Sequence, residues 1–301
     1  MQPLIQALTA PGPVLTDGAW GTELQARGLA PGEFPDAWNL TRPDAVGEVA
    51  RAYVDAGSRI ILTNTFGGNR FRLADAGLEG RVEEINRRGA EISRDAARAR
   101  ARVFASMGPT GKVLGAGEVD SGEVRAAFAE QAEALAQGGA DAIVIETMSD
   151  LQEAGLAVAA ALATGLPVVA CMVFDSGRDK DRTMSGVRPE EAARALTEAG
   201  ADVIGANCGH GIEGFVAICR RLRAATDRPL WIKPNAGLPE LADGRAVYRT
   251  TPGEFARFVP ALVEAGAGFV GGCCGTGPEF IRALAVALRQ TADHPDRIAC
   301  V

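Results

Sequence analysis

Apolar residues in this chain gather into short aliphatic and β-branched runs. Each run closes on a glycine, asparagine, aspartate or cysteine and is followed by a longer alanine-rich stretch of helical period. The runs predict eight strands: Val14–Asp17, Arg59–Asn64, Val103–Met107, Ala142–Thr147, Pro167–Phe174, Asp202–Cys208, Leu230–Asn235 and Gly268–Cys273. Between them the spacing predicts helices over Asp44–Ala56, Val82–Ala101, Glu123–Gln137, Pro189–Ala199, Ile212–Ala224, Pro252–Ala265 and Pro278–Arg289. Pro43, Pro189, Pro252 and Pro278 fall in first turns, where a missing N–H leaves no helical bond unmade. Ala56-Gly57-Ser58, Gly138-Gly139-Ala140, Ala199-Gly200-Ala201 and Ala265-Gly266-Ala267 each join a helix to the next strand, with glycine supplying the left-handed residue. One βα unit used repeatedly along 301 residues predicts an α/β fold, a single (β/α)8 TIM barrel forming one domain over 1–301. A doubly wound sheet is the alternative, but Asp17-Gly18-Ala19-Trp20-Gly21-Thr22 lacks its Gly-x-Gly-x-x-Gly spacing.

Composition narrows the partners. The chain is 47% apolar, enough for a large core, and carries a net charge of −7 without a basic run, which excludes nucleic acid as an expected partner. The arginines between Arg94 and Arg102 alternate with alanines and read as a solvated helix face. The first ten residues have no secretory pattern, and no apolar stretch is long enough to span a membrane. Six cysteines in a chain of this size suit a reducing cytoplasm.

In a barrel the carboxyl ends of the strands form the active face. Here those ends carry Asp17, Thr63-Asn64-Thr65, Gly108-Pro109-Thr110, Glu146-Thr147, Asp175, Asn207-Cys208, Asn235 and Cys273-Cys274. Glu146 follows a fully apolar run, so its carboxylate needs either an inward lysine such as Lys233 or the ammonium group of a ligand. Asp17 has the same two readings, with a turn cap as a third. If the runs ending in Cys208 and Cys273 are neighbouring strands, three thiolates meet at one point, describing a catalytic zinc site with one vacancy for a sulfur ligand. Adjacent Cys273 and Cys274 cannot both face a metal from a regular strand, but Gly271, Gly272 and Gly275 free the backbone to break the alternation. Plain core cysteine and a redox disulfide are the competing readings. Cys171, Cys219 and Cys300 fit the core reading, and His210 stands as a possible fourth ligand.

The segments Asp17–Thr22, Thr63–Phe66, Gly108–Gly111, Glu146-Thr147, Asn207-Cys208, Pro234–Gly237 and Gly272–Thr276 together resemble the homocysteine S-methyltransferase family. The resemblance covers almost the whole chain. Gly-Ala-Asn-Cys, Pro-Asn-Ala-Gly-Leu-Pro and Cys-Cys-Gly-Thr are most similar to the homocysteine-binding module of cobalamin-dependent methionine synthase. Enzymes using S-methylmethionine tend to have Asn-Ser-Gly where this chain has Asn235-Ala236-Gly237, and betaine-using relatives depart further. The resemblance implies one Zn2+ on Cys208, Cys273 and Cys274, with the sulfur of homocysteine as fourth ligand. It also implies that Asp17 and Glu146 hold the amino-acid head group, helped by Ala19, Gly21 and Thr22, that Asn207 and Ala236 contact the substrate as well, and that Asn235 lines the metal's open position. A free thiol titrates near ~8.5, whereas a coordinated one is deprotonated outright. Three protein thiolates leave the metal site net negative, which keeps an added sulfur nucleophilic. The expected reaction is methyl transfer to homocysteine giving methionine, the methyl arriving from methylcobalamin on a separate cobalamin-binding or folate module or protein. S-methylmethionine, S-adenosylmethionine or betaine as direct donor is the alternative; selenohomocysteine as acceptor, or a non-catalytic zinc barrel, is a further one.

Overall fold

The computed structural model describes residues 1–114, 117, 119–242 and 245–293; Cys300 lies outside them. The chain lays down β1 (Val14–Leu15), β2 (Ile60–Ile61), β3 (Arg102–Met107), β4 (Ala142–Met148), β5 (Val168–Met172), β6 (Val203–Cys208) and β7 (Leu230–Pro234). A hairpin of β8 (Glu240–Ala242) and β9 (Arg245–Val247) follows, then β10 (Ala267–Val270). All strands but the hairpin join one parallel sheet in the order β1-β10-β7-β6-β5-β4-β3-β2, with helices between successive strands. This is the (β/α)8 barrel the periodicity predicts.

Two features close the barrel between its first two strands. The amide of Arg59 donates to the carbonyl of Leu15 at 2.9 Å. Three residues further along, the amide of Leu62 donates at 2.6 Å to the side chain of Asp17 rather than to backbone. A carboxylate thus stands in for a missing ladder bond. Below the mouth, Phe104, Trp231 and Phe269 fill the barrel as a stack, with ring centroids 5.9 and 5.3 Å apart, and all three are inaccessible to solvent.

Local chemistry sets the helices. Pro43, Pro189, Pro252 and Pro278 each open one. Asp120 and Glu123 form a reciprocal cap at Ser121–Gln137. The repeated αβ turn has the expected form: Gly57, Gly139, Gly200 and Gly266 take φ of 108°, 86°, 98° and 100°. Sequence reading misses the helices Pro3–Thr9, Trp20–Ala26 and Leu151–Leu162 and the β8–β9 hairpin. The expected Pro252–Ala265 helix is two pieces, Pro252–Ala256 and Val259–Glu264, because Pro260 cannot donate back and its ring crowds the preceding turn. The expected Val82–Ala101 helix stops at Ala97, where Arg98 turns to φ 51°, so only the start of the arginine stretch is helical.

Gly205 pairs with Trp231 across β6 and β7. A Cβ there would lie 2.3 Å from the Trp231 carbonyl oxygen and 2.7 Å from Cys171 Sγ. Because both obstacles sit in the barrel wall, Gly205→Ala is expected to lower the unfolding free energy by about 2 kcal/mol or more, read from urea denaturation.

Candidate active site

The strands that carry the cysteines are not neighbours, as the sequence reading supposed: β7 lies between β6 and β10. The end of β7 ties the two together. Asn235 donates its side-chain N–H to the Gly209 carbonyl at 2.7 Å and to Cys208 Sγ at 3.5 Å, and its side-chain oxygen accepts from the Cys274 amide at 2.9 Å. Its backbone amide reaches the Cys208 carbonyl at 3.2 Å, while Ala236 N–H reaches the Cys274 carbonyl at 2.9 Å. The residues that directly follow the intervening strand, Asn235 above all, therefore hold both cysteine segments.

Each segment departs from regular strand geometry to aim its sulfur. Cys208 has φ 66°, a left-handed conformation uncommon for a residue with a Cβ. The β10 ladder stops at Val270, after which the Cys273 amide donates to the Pro234 carbonyl at 2.8 Å. The amide and hydroxyl of Thr276 both donate to the Cys273 carbonyl, at 3.1 and 2.6 Å, and close a tight turn. Gly275 in that turn has φ 81°, and a Cβ there would come within 2.3 Å of the Tyr248 ring. As a result the sulfurs of Cys273 and Cys274 lie 4.0 Å apart, and all three sulfurs fall within 4.8 Å of one another.

The donor set fits a thiophilic cation. Sulfurs around tetrahedral zinc at ~2.3 Å lie roughly 3.8 Å from each other, close to the spacing seen here. Among the described residues no His, Asp or Glu joins the three cysteines; the His210 ring instead sits 3.2 Å from the Asp175 carbonyl oxygen. Hydrogen bonds from Cys273 and Cys274 hold the Cys208 thiol down at about 3. The same interaction with Cys208 pushes Cys273 up to about 11 and Cys274 well above the usual thiol range. Three thiolates this close repel one another, so full ionisation calls for a cation among them. None of the five described cysteines is in a disulfide, and Cys171 and Cys219 are buried core residues.

A cavity of about 800 Å³ opens over the sulfurs, bounded by all three cysteines, Glu146, Lys233 and the loop of Ala19, Gly21 and Thr22. Phe66, which ends the Thr63–Phe66 segment, also lines it, as do Phe34 and Asp36, which sequence reasoning did not single out. Asp17, Asn207, Asn235 and Ala236 lie behind this wall rather than on it. Glu146 accepts the Ser106 hydroxyl at 2.5 Å and, more loosely, the Asn207 amide at 3.4 Å. The other end of Asn207 accepts the Thr147 amide at 2.7 Å, and its N–H lies 3.8 Å from Cys273 Sγ.

Lys233, considered from sequence as a partner for Glu146, pairs instead with Asp17 at 2.5 Å. The second Asp17 oxygen takes the Trp20 indole N–H at 2.8 Å and the Leu62 amide. Burial pushes Glu146 up to about 7, outweighing the pull of Lys233. Burial alone would lower Lys233, but the carboxylates of Asp17 and Glu146 hold it above its ordinary value.

Several other polar strand ends are consumed internally. Asn64 donates to the Pro35 carbonyl and to Asn39, Thr65 to the Ser106 carbonyl, and Thr110 to Glu153. Ser106 was the least visible member of the site in the sequence; its only signal is a lone hydroxyl inside an apolar strand.

The family model for homocysteine S-methyltransferase matches residues 14–288. The chain is 33% identical over 300 residues to the methionine synthase of Mycobacterium tuberculosis (strain ATCC 25618 / H37Rv), covering 93% of this chain and 25% of that protein. It is also 33% identical over 293 residues to the methionine synthase of Mycobacterium leprae (strain TN), covering 92% and 24%. The chain thus spans about a quarter of the length of these relatives. Among solved structures, the metallated form of the homocysteine methyltransferase MmuM from Escherichia coli superposes with a TM-score of 0.79 at 25% identity, over 94% of this chain and 99% of that one.

The burial of Glu146 has a measurable cost. Its folded value of about 7 exceeds the unfolded 4.5, so the folded state holds its proton more tightly and stability falls as pH rises between the two. Glu146→Gln is therefore expected to match the parent in thermal unfolding below pH 4.5 and to exceed it above pH 7, by up to about 3 kcal/mol. A difference independent of pH would rule out this origin.

Proposed function

The chain belongs to the homocysteine S-methyltransferase family, and on that premise we propose that it methylates the thiolate of L-homocysteine to give methionine, using zinc held by Cys208, Cys273 and Cys274. The observation that carries this reading is the meeting of three sulfurs, from the ends of β6 and β10, at the floor of a cavity whose wall holds a buried carboxylate. Zinc bound there would hold the substrate's sulfur as a thiolate.

The chain's own residues supply position. Glu146 takes the ammonium of homocysteine, because a buried acid bonded only to a hydroxyl and an amide lacks a cation. The first-turn peptide N–H groups of Gly21 and Thr22 take the carboxylate, while Ala19, whose own N–H is bonded to the Thr276 carbonyl at 2.9 Å, holds the loop in place. Asn207 directs an N–H group at the Cys273 sulfur and Asn235 one at the Cys208 sulfur, fixing both and favouring their charged form. Ala236 anchors the Cys274 segment from behind. With the amino acid so held, its sulfur attacks the methyl carbon: the new S–C bond forms as the bond between methyl and donor breaks. Fixing both partners in line contributes several kcal/mol to such a displacement.

For the donor, the match to part of methionine synthase supports methylcobalamin carried by a separate module or protein. The reading places the chain as one homocysteine-binding domain in the reducing cytoplasm. Among the described residues no helix is long and apolar enough to cross a membrane.

Two measurements test the assignment. Cys208→Ser is expected to lose stoichiometric zinc and methyl transfer while its circular dichroism and melting stay near the parent's, since the barrel core does not depend on the metal; unfolding together with zinc loss would make the site structural. Purified zinc-loaded protein with homocysteine is expected to form methionine from methylcobalamin. Turnover with S-methylmethionine, S-adenosylmethionine or betaine and none with methylcobalamin would assign a small cationic donor instead.

A further inference from the structure

The hairpin of β8 and β9 stands outside the barrel sheet, yet its base reaches the sulfurs. The two strands pair antiparallel with Glu240 opposite Val247, so the chain that leaves the mouth after Gly237 returns to it at Tyr248. There the Tyr248 ring lies on Gly275: a Cβ on that glycine would come within 2.3 to 2.6 Å of three ring carbons. The ring is thus seated on the residue that follows Cys274. Its hydroxyl has Cys274 as side-chain hydrogen-bond partner. Burial first, and then the charges of Cys274, Cys208 and Cys273, push that hydroxyl up to about 12, so it is present as O–H and can donate. Tyr248 is half-buried and forms no part of the cavity wall, so it meets the sulfurs from outside the chamber.

The three sulfurs are otherwise served unequally. Cys208 has an N–H of Asn235 at 3.5 Å and Cys273 an N–H of Asn207 at 3.8 Å. Cys274 Sγ has no N–H donor among the described residues; the Cys273 sulfur lies beside it at 4.0 Å. Three thiolates outweigh the charge of one divalent ion, and a hydrogen bond to each sulfur disperses the excess. We propose that Tyr248 is a positioning residue whose hydroxyl donates to the Cys274 sulfur, completing a set of one donor for each sulfur, and that the hairpin serves to deliver it. The inference rests on the reading that these sulfurs hold zinc. Its rival is a ring that only packs on Gly275.

The test uses the whole chain, stripped of metal under reducing conditions, and Tyr248→Phe, which keeps the ring on Gly275 and removes only the hydroxyl. Zinc affinity is read by competition with a chromophoric chelator. Sulfur-to-metal charge transfer is read from the absorption of the Co2+ form. Tyr248→Phe is expected to weaken zinc binding about tenfold, as loss of an outer hydrogen bond does at other metal sites. Its charge-transfer band is expected to move to longer wavelength, because a thiolate without the hydrogen bond gives more electron density to the metal. The band decides between the two readings, since packing of the ring is common to parent and variant. A shift supports the hydrogen bond; an unmoved band overturns it, whatever the affinity does. A parent that takes up no zinc would overturn the metal reading and this inference together, whereas a parent that binds zinc beside a variant with an unmoved band overturns this inference alone.

Discussion

The mouth of this barrel depends on the side-chain amide of Asn235. It stands just past the one strand that separates the two cysteine-bearing segments, and it satisfies a carbonyl, a sulfur and a backbone N–H at once. Strand order alone brings the ends of β6, β7 and β10 to one rim. The amide converts that rough proximity into sulfurs a few ångströms apart. It does so by bonding to groups on both flanking segments, so neither can shift without leaving a buried polar group unmatched. The left-handed turn at Cys208 and the tight turn after Cys273 are local departures that this bracing sustains.

Charge is handled in the same spirit. The barrel interior below the mouth is aromatic and aliphatic, and the ionisable groups sit in the layer above it, each with a defined share of partners. Asp17 works as a structural element, supplying an acceptor where the first two strands fail to pair. That engagement also explains why it lies behind the cavity wall although the motif it belongs to forms part of that wall.

Most of the architecture was legible in the sequence because barrel strands are buried on both faces and their apolar runs stand out, and because proline opens four of the helices and glycine makes four of the turns back into the sheet. The eight strands fall where the runs place them; most are shorter, while β3, β4 and β10 each run one residue past the predicted bounds at one end. The hairpin was not legible, since its strands are three residues each, too short for a periodicity to show, and stand outside the barrel sheet. Pro260 was visible but was overridden by the alanine pattern around it. Within the site, the cysteines could be read from their glycine settings, whereas the choice of Lys233 between Asp17 and Glu146 could not. Both acids end strands that converge on the lysine, and only the seam between β1 and β2, a tertiary feature, determines which one is already fixed in place. The intervening strand was within reach: a (β/α)8 barrel orders its strands along the chain, and Leu230–Asn235 falls between the two cysteine runs, so the supposition that those runs are neighbours ran against the predicted fold itself.

The aromatic stack of Phe104, Trp231 and Phe269 has a further consequence. It joins β3, β7 and β10 through rings rather than ladder bonds, and β7 leads directly into Asn235. The footing of the residue that braces the sulfurs is therefore set from across the barrel, and trimming any of the three rings would loosen the rim from beneath.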